Sequence, residues 1–186
     1  MAWYAMTIQA SNQIYVNTWM ETFDLNFRIF ATKKDLADRF VIQALERLNL
    51  ACLKHRKAAK CWALRFKILN RLSVLATRAH LDSECAFYEK ETPPNQKEIK
   101  RTNILLTTLA QEYKVCDKIN IHHPRNYYLW YYRYRLTQEI LKPLIQTNLL
   151  VTEELLAQEI KLLTQYVRQK SDDSSAKWYL EQIKQN

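Results

Sequence analysis

Hydrophobic residues recur at intervals of three and four positions along most of this 186-residue chain. Such spacing places them on one face of an amphipathic α-helix, so it predicts a succession of helices that each bury one face. We interpret residues 1–186 as a single helical-repeat domain. The predicted elements are an N-terminal helix at about 15–30, hairpins at about 33–79, 103–147 and 152–185, and a loop or insertion at about 82–101. The N-terminal helix is predicted to carry Trp19, Phe23, Phe27 and Phe30 on one face, and the helix at 103–120 to carry Leu106, Leu109, Tyr113 and Cys116.

The turn-forming residues of the chain favour an all-α fold. Glycine is absent, and two of the four prolines form the pair Pro93-Pro94. Tight turns with positive φ and β-hairpins therefore lack the residues that they usually need. Pro93-Pro94 is the clearest loop signal, and Pro143 is expected to kink or end the helix that contains it.

Apolar runs and cysteines bear on location. The chain has no continuous apolar run of about 18 residues, and its first residues lack the basic and apolar regions of a signal peptide. We therefore expect no membrane span and a cytoplasmic protein. The cysteines show no C-x-x-C spacing, which indicates reduced and mostly buried thiols rather than disulfides. These cysteines are Cys52, Cys61, Cys85 and Cys116.

Residues 123–135, HPRNYYLWYYRYR, combine a proline with six aromatic residues. Pro124 can precede a helix and Asn126 is a favourable N-cap, so a helix is predicted to begin near Tyr127. Aromatic rings at helical spacing should share one face that packs against another helix, while Arg133 points elsewhere. The residues of this predicted face are Tyr127, Trp130, Tyr131 and Tyr134.

Parts of this segment occur twice more in the chain. Trp62 and Arg65 have the spacing of Trp130 and Arg133, and they precede them by 68 residues. Trp178 follows a polar stretch that can cap a helix, although a glutamate stands at the position of the arginine. We interpret these five residues as structural anchors of helical repeats with irregular linkers. Each arginine is expected to bond a carbonyl or carboxylate of a neighbouring helix.

The spacing Pro-x-Asn-Tyr-x-x-Trp-x-x-Arg at residues 124–133 resembles the repeat motif of protein prenyltransferase α subunits, above all their α-like, repeat-containing relatives. The likeness extends over about residues 36–180. It implies a right-handed solenoid or crescent of antiparallel helical hairpins, similar to a TPR superhelix, that wraps around a β subunit.

The resemblance also implies a function. This chain would be the α-like subunit of a heterodimer that transfers an isoprenoid, of geranylgeranyl type, from its diphosphate to a protein cysteine. A β subunit of Rab type would hold the zinc and most of the isoprenoid pocket, so no cofactor is expected in this chain. By the same resemblance, Arg125 and Tyr127 lie near the diphosphate at the subunit junction, Asn126 caps the helix, and Tyr128 is a binding position.

The chemistry of Arg125 and Tyr127 agrees with that role. A guanidinium and a phenol at a helix N-terminus can stabilise the negative charge that develops when a diphosphate leaves. These two residues are therefore candidate catalytic residues. The structural alternative is that Arg125 is solvated and Tyr127 packs between helices.

The charge of the chain points to an acidic partner. The net charge is +9, and residues 54–78 contain eight basic residues and no acidic one. Such a run suits an acidic rim of a β subunit, an isoprenoid diphosphate, an acidic protein or nucleic acid, although a solvated basic face without a specific ligand is an equal possibility.

The main alternative function is a non-enzymatic helical-repeat scaffold for protein or RNA binding. Basic residues interleaved with aromatics suit RNA, but the predicted burial of the motif aromatics argues against that partner. The cysteines and histidines have no metal-site spacing, and a chain without glycine cannot form a phosphate-binding glycine loop. We therefore expect no metal site and no self-contained catalytic centre.

Overall fold

The computed structural model describes residues 13–31, 34–54, 59–87, 96–145 and 150–185. The helices are α1 (Gln13–Ala31), α2 (Lys34–Lys54), α3 (Ala59–Phe87), α4 (Gln96–His122), α5 (Tyr127–Arg135), a π-helical segment (Leu136–Leu141), α6 (Lys142–Ile145), α7 (Leu150–Gln169) and α8 (Ser174–Lys184). These ranges contain no strand, which confirms the predicted all-α class. They also contain no helix long and apolar enough to cross a membrane.

Helix α1 packs on α2 through an aromatic face that the spacing predicted. Trp19, Phe23 and Phe27 are buried, and the ring of Phe23 stacks on that of Phe40 with 5.1 Å between centroids. The side chain of Phe30, predicted on the same face, lies outside the described set. The aromatic contact fixes α1 against the first hairpin.

The predicted loop or insertion at 82–101 is wrong over most of its length. Helix α3 continues to Phe87, and α4 already begins at Gln96. The insertion was predicted from Pro93-Pro94, but residues 82–87 contain no glycine or proline that would break a helix before that pair. Pro93-Pro94 lies outside the described residues.

The hairpins pack in two rows. Helix α2 lies against α3, and α7 lies against α8. Between hairpins, α3 contacts α5 and α5 contacts α8, while α2 contacts α4 and α4 contacts α7. In adjacent hairpins, the second helix of one therefore contacts the second helix of the next, and the first helix contacts the first.

Of the two outcomes predicted for Pro143, a kink or an end of the helix, the helix does not end at this residue, and its backbone is distorted directly before it. The backbone passes through the π segment and continues as α6 to Ile145. The N–H of Lys142 bonds the carbonyl of Thr137, five residues earlier, rather than the carbonyl four residues earlier. This wider turn precedes the proline ring, which in an α-helix would clash with the carbonyl four residues before it.

Two short turns set the start of α5 and α8. Asp173 caps α8, because its Oδ1 accepts a hydrogen bond from the backbone N–H of Ala176 at 3.1 Å. Asn126 occupies the N-cap of α5, but its side chain makes no capping hydrogen bond. Before it, Arg125 has φ of 59° in the left-handed region. For a residue with a Cβ, the left-handed conformation is about 1–2 kcal/mol less favourable than the right-handed one.

Candidate functional site

Helix α5 buries a different face from the predicted one. Its buried residues are Leu129, Trp130, Tyr132 and Arg133. Tyr127 and Tyr131 are 52% and 42% exposed, and Tyr134 is half-buried. The predicted face left out Arg133, which is buried. Its guanidinium binds carboxylates of other helices, as expected for the motif arginines.

The first junction, between the first and second hairpins, consists of Trp62, Arg65, Glu112 and Tyr132. Arg65 donates from Nε to Oε2 of Glu112 at 2.6 Å and from Nη2 to Oε1 at 2.7 Å. The Tyr132 hydroxyl donates to the same carboxylate at 2.6 Å. Arg65 also bonds the carbonyl of Leu45 at 3.1 Å, so its contact with neighbouring helices is as expected from the sequence.

The second junction, between the second and third hairpins, consists of Trp130, Arg133, Glu159 and Tyr179. Arg133 donates from Nε and Nη2 to the two oxygens of Glu159, at 2.8 and 2.6 Å. The Tyr179 hydroxyl donates to Glu159 at 2.8 Å. Arg133 also bonds Asp117, a half-exposed carboxylate on α4. The same chemistry therefore joins both pairs of hairpins.

The side chains of both junctions are buried. Burial lowers the pKa of a buried guanidinium, but Glu112 and Glu159 raise the pKa of Arg65 and Arg133 above the ordinary value. Both arginines therefore stay charged. Burial likewise raises the pKa of Tyr132 and Tyr179 well above the ordinary value, so their hydroxyls remain donors.

The junctions reveal a repeat that the tryptophan spacing missed. Glu159 and Tyr179 follow Glu112 and Tyr132 by 47 residues, and in each junction the tyrosine follows the glutamate by 20 residues. The N-caps Asn126 and Asp173 are also 47 residues apart. The predicted alignment, with Trp178 equivalent to Trp130, used a spacing of 48 and is displaced by one residue. The equal Glu-to-Tyr distances were the signal that could have found the register.

The correct register changes the role of Trp178. It is equivalent to Tyr131, and it lies half-buried against the outer rings of α5 rather than inside a junction. Its ring lies 5.0 Å from that of Tyr134 and 6.4 Å from that of Tyr131. The residue of α8 that is equivalent to the buried Tyr132 is Tyr179, and it is buried as well. Trp178 thus extends an aromatic surface on the outside of α5.

The two motif tryptophans differ in hydrogen bonding. Trp130 donates from Nε1 to Oδ2 of Asp173 at 3.0 Å, and Tyr166 donates to the same oxygen. Trp62 is buried to the same degree, at 3% exposure against 2%, but its Nε1–H has no acceptor among the described residues. The indole N–H of the second junction is therefore hydrogen-bonded, whereas that of the first junction is not bonded to any described residue.

A groove of about 400 Å³ lies beside the first junction, between α3 and α5. Its volume falls in the range of small binding sites, roughly 300–1,000 Å³. Its walls are mainly aromatic, and Arg135 lies over the ring of Phe66, 3.6 Å from the centroid. The lining residues are Ala59, Trp62, Ala63, Phe66, Tyr127, Tyr128, Tyr131, Tyr132 and Arg135.

The two predicted catalytic residues have different surroundings. Tyr127 and Tyr128 line the groove. Arg125 is exposed and does not line it, because its guanidinium forms an ion pair with Asp172 in the turn before α8. Asn126, which stands between Arg125 and Tyr127 in the sequence, is buried. Sequence reasoning missed Phe66, Ala63 and Arg135, which come from the weaker motif copy and from the end of α5.

The described cysteines are buried free thiols, as expected from their spacing. Burial raises the pKa of Cys61 to about 11 and of Cys52 to about 12, and it raises the pKa of Cys116 further. These thiols are therefore protonated at neutral pH. The side chain of Cys85 lies outside the described set. Across the described residues, no group of three or more Cys, His, Asp or Glu could hold a metal ion.

No family model, no curated protein and no solved structure matches this chain. The function is therefore inferred from the motif, the junctions and the groove.

Proposed function

We propose that this chain is the α-like, non-zinc subunit of a cytoplasmic protein prenyltransferase heterodimer, with its hairpins arranged as a right-handed solenoid around a β subunit of Rab type. The heterodimer transfers an isoprenoid, of geranylgeranyl type, to a protein. The cysteine sulfur bonds C1 of the isoprenoid, the bond from C1 to the diphosphate oxygen breaks, and diphosphate leaves. The zinc belongs to the β subunit.

The observation that carries this proposal is the doubled junction. Two copies of Trp-x-x-Arg occupy equivalent buried positions, and each arginine is bound through two hydrogen bonds by a glutamate of the next hairpin. A stack of prenyltransferase α-type repeats needs such neutralisation wherever its motif arginine is buried. A single amphipathic helix rich in tyrosine has no such need.

The proposed roles of Arg125 and Tyr127 follow from their exposure. Tyr127 is open to solvent at the first turn of α5, where its hydroxyl can donate to an anion from another molecule. Arg125 is two residues away, and its exposed ion pair with Asp172 contributes little to stability, so the guanidinium can exchange partners at low cost. Both side chains are exposed and therefore accessible to a ligand from another molecule.

Reconstitution tests the proposal. The chain is co-expressed with a panel of prenyltransferase β subunits, and complexes are isolated by size exclusion after affinity capture of the β subunit. We expect a one-to-one complex with a Rab-type β subunit that prenylates a cysteine substrate. Absence of a complex with every β subunit would contradict the proposal and favour the scaffold alternative.

The roles of the two residues are tested on that complex. The double variant Arg125→Ala with Tyr127→Phe should slow single-turnover transfer by on the order of a hundredfold, because the removed donors act mainly on charge that develops in the transition state. Assembly should be unchanged. Asp172→Ala is the matched control, since it breaks the same ion pair but keeps the guanidinium, and Lys161→Ala is a distant surface control. Equal rates for the double variant and the wild type would assign both residues to structural roles.

The scaffold alternative is favoured by a specific observation. Tyr127 and Tyr131 are exposed, so the predicted burial of the aromatic face no longer argues against a binding surface here. A scaffold would retain partner binding in the absence of any prenyl transfer. The reconstitution experiment distinguishes the two functions.

A further inference from the structure

The groove beside the first junction combines apolar rings with hydrogen-bond donors. Four tyrosines, one tryptophan and one phenylalanine line it, and Arg135 stands at one side. Among the described residues none that lines it is acidic. The ring of Trp62 forms part of its wall. The groove therefore suits a ligand that offers apolar rings and hydrogen-bond acceptors.

The arrangement of the rings narrows the class of ligand. Tyr127 and Tyr131 are stacked nearly parallel, with 5.9 Å between centroids and 11° between planes. Aromatic-lined grooves are typical of sites that hold a polyproline II helix. Such a helix advances about 6 Å in two residues, close to the distance between the two rings.

We propose that this groove binds a proline-rich peptide segment of a partner protein, with acidic residues beside its proline core. A polyproline II helix has no internal hydrogen bonds, so its carbonyls can accept bonds from tyrosine or arginine donors. Its proline rings pack between aromatic side chains. The inference does not depend on prenyltransferase activity, because the groove lies within this chain.

Charge complementarity gives the acidic preference. The chain carries a net charge of +9, and the basic run at 54–78 includes helix α3, which forms one wall of the groove. Lys67 is exposed on α3, one turn after the lining residue Ala63. Arg135 adds a second cation, partly neutralised by its hydrogen bonds with Glu139 at 2.6 and 2.8 Å. An acidic flank would interact favourably with Lys67 and Arg135.

Fluorescence anisotropy with the full chain tests the proposal. The probe is a labelled peptide with a P-x-x-P core and glutamates at both ends. The comparison probes are the same peptide with alanine in place of proline, and a labelled oligouridylate. We expect saturable binding of the proline peptide, weaker binding at high salt, and loss of binding for the alanine peptide.

Variants place the binding in the groove. Ala63→Glu introduces a carboxylate into an exposed position of the wall, and Tyr131→Ala removes one ridge; each should weaken peptide binding about tenfold or more. Asn70→Glu is the matched control, because it makes the same charge change at an exposed position of the same helix, outside the lining. Thermal melting verifies that each variant is folded, and Ala63→Glu decides the test if Tyr131→Ala unfolds.

Several results would overturn the inference. These are no peptide binding at millimolar concentration, equal binding of the alanine peptide, and equal binding by Ala63→Glu and the wild type. Oligouridylate binding that Ala63→Glu abolishes, without peptide binding, would assign the groove to single-stranded RNA instead.

Discussion

The two junctions use the same residues but are completed differently. Each has a buried arginine, a glutamate that binds it through two hydrogen bonds, and a tyrosine that donates to that glutamate. At the second junction, Asp173 also binds the indole of Trp130 and caps α8. At the first junction, the indole of Trp62 lacks an acceptor among the described residues, and a groove lies beside it. Two copies of the same structural unit thus differ in whether the indole N–H of the tryptophan has an acceptor.

The largest expected effect comes from the shared ion pairs. Glu112→Ala and Glu159→Ala should each lower the free energy of unfolding by about 3–5 kcal/mol, because each leaves a buried guanidinium without its carboxylate. Urea denaturation measures the change. Glu153→Ala, at an exposed position of α7, is the control and should have little effect. A loss below about 1 kcal/mol for either junction variant would mean that water replaces the glutamate there.

Removal of the residue that closes the second junction should have the next largest effect. Asp173→Ala should lower the free energy of unfolding by about 2–3 kcal/mol, since α8 loses its cap and the buried indole of Trp130 loses its acceptor. The neighbouring Asp172→Ala removes an exposed carboxylate and should change stability little. Equal melting curves for the two variants would show that Asp173 does not close the junction.

The tryptophans compare the junctions directly. Trp130→Phe should cost about 1 kcal/mol more than Trp62→Phe, because only Trp130 loses a hydrogen bond. Both variants lose similar ring area, so the difference isolates the indole N–H. The measurement is the difference in denaturation midpoint at constant slope. A larger loss for Trp62→Phe would reverse the comparison.

The turns before the two caps also differ. Arg125 has a left-handed backbone, whereas its counterpart in the 47-residue register, Asp172, does not. Arg125→Gly should therefore be more stable than Arg125→Ala by about 0.5–1 kcal/mol, after allowance for the greater freedom of glycine in the unfolded chain. Thermal melting of the two variants measures this difference. Equal melting temperatures would show that the turn relaxes without strain.

The smallest expected effect concerns the thiols near the junctions. Burial raises the pKa of Cys61 to about 11 and of Cys52 to about 12, so thiolate is scarce in the native protein at about pH 8. Iodoacetamide should leave Cys52, Cys61 and Cys116 unmodified until the chain is unfolded, as followed by peptide mass spectrometry.

The same thiols predict an alkaline loss of stability. Because the native pKa is raised, the thiols favour the folded state below about pH 9, and this contribution is lost as pH rises from about 9 to 12. The alkylation experiment would contradict this picture if Cys52 or Cys61 reacted rapidly in the folded protein at about pH 8, because the first junction would then open to solvent.

Periodicity predicted the helices because each of them buries one apolar face. The buried face of α4, for example, contains Leu106, Leu109, Tyr113 and Cys116 as expected. The predicted insertion at 82–101 was too long, because residues 82–87 contain no glycine or proline that ends a helix and the next helix already begins at Gln96. The face of α5 was wrong because hydrophobic spacing treats an arginine as exposed. Arg133 is buried only because Glu159 and Asp117, distant in sequence, neutralise it.

Of the candidate site, the family resemblance named Tyr127 and Tyr128, and both line the groove. It did not predict that Arg125 turns to Asp172, because that pairing depends on the position of the third hairpin. Phe66 and Arg135 could not be paired from sequence, since their contact depends on the packing of α3 against α5. The spacing within one helix thus predicts which of its residues belong together, whereas the groove is formed by residues of two helices.

The buried ion pairs join side chains of different hairpins, Arg65 with Glu112 and Arg133 with Glu159. In an array of repeats, stability is the sum of what each repeat contributes alone and of the coupling between neighbours. Here the strongest polar contacts belong to the coupling. A separated hairpin would expose a charged group that its neighbour now neutralises, so partial unfolding carries an electrostatic penalty at its boundary. The described hairpins should therefore unfold in one steep transition rather than one after another.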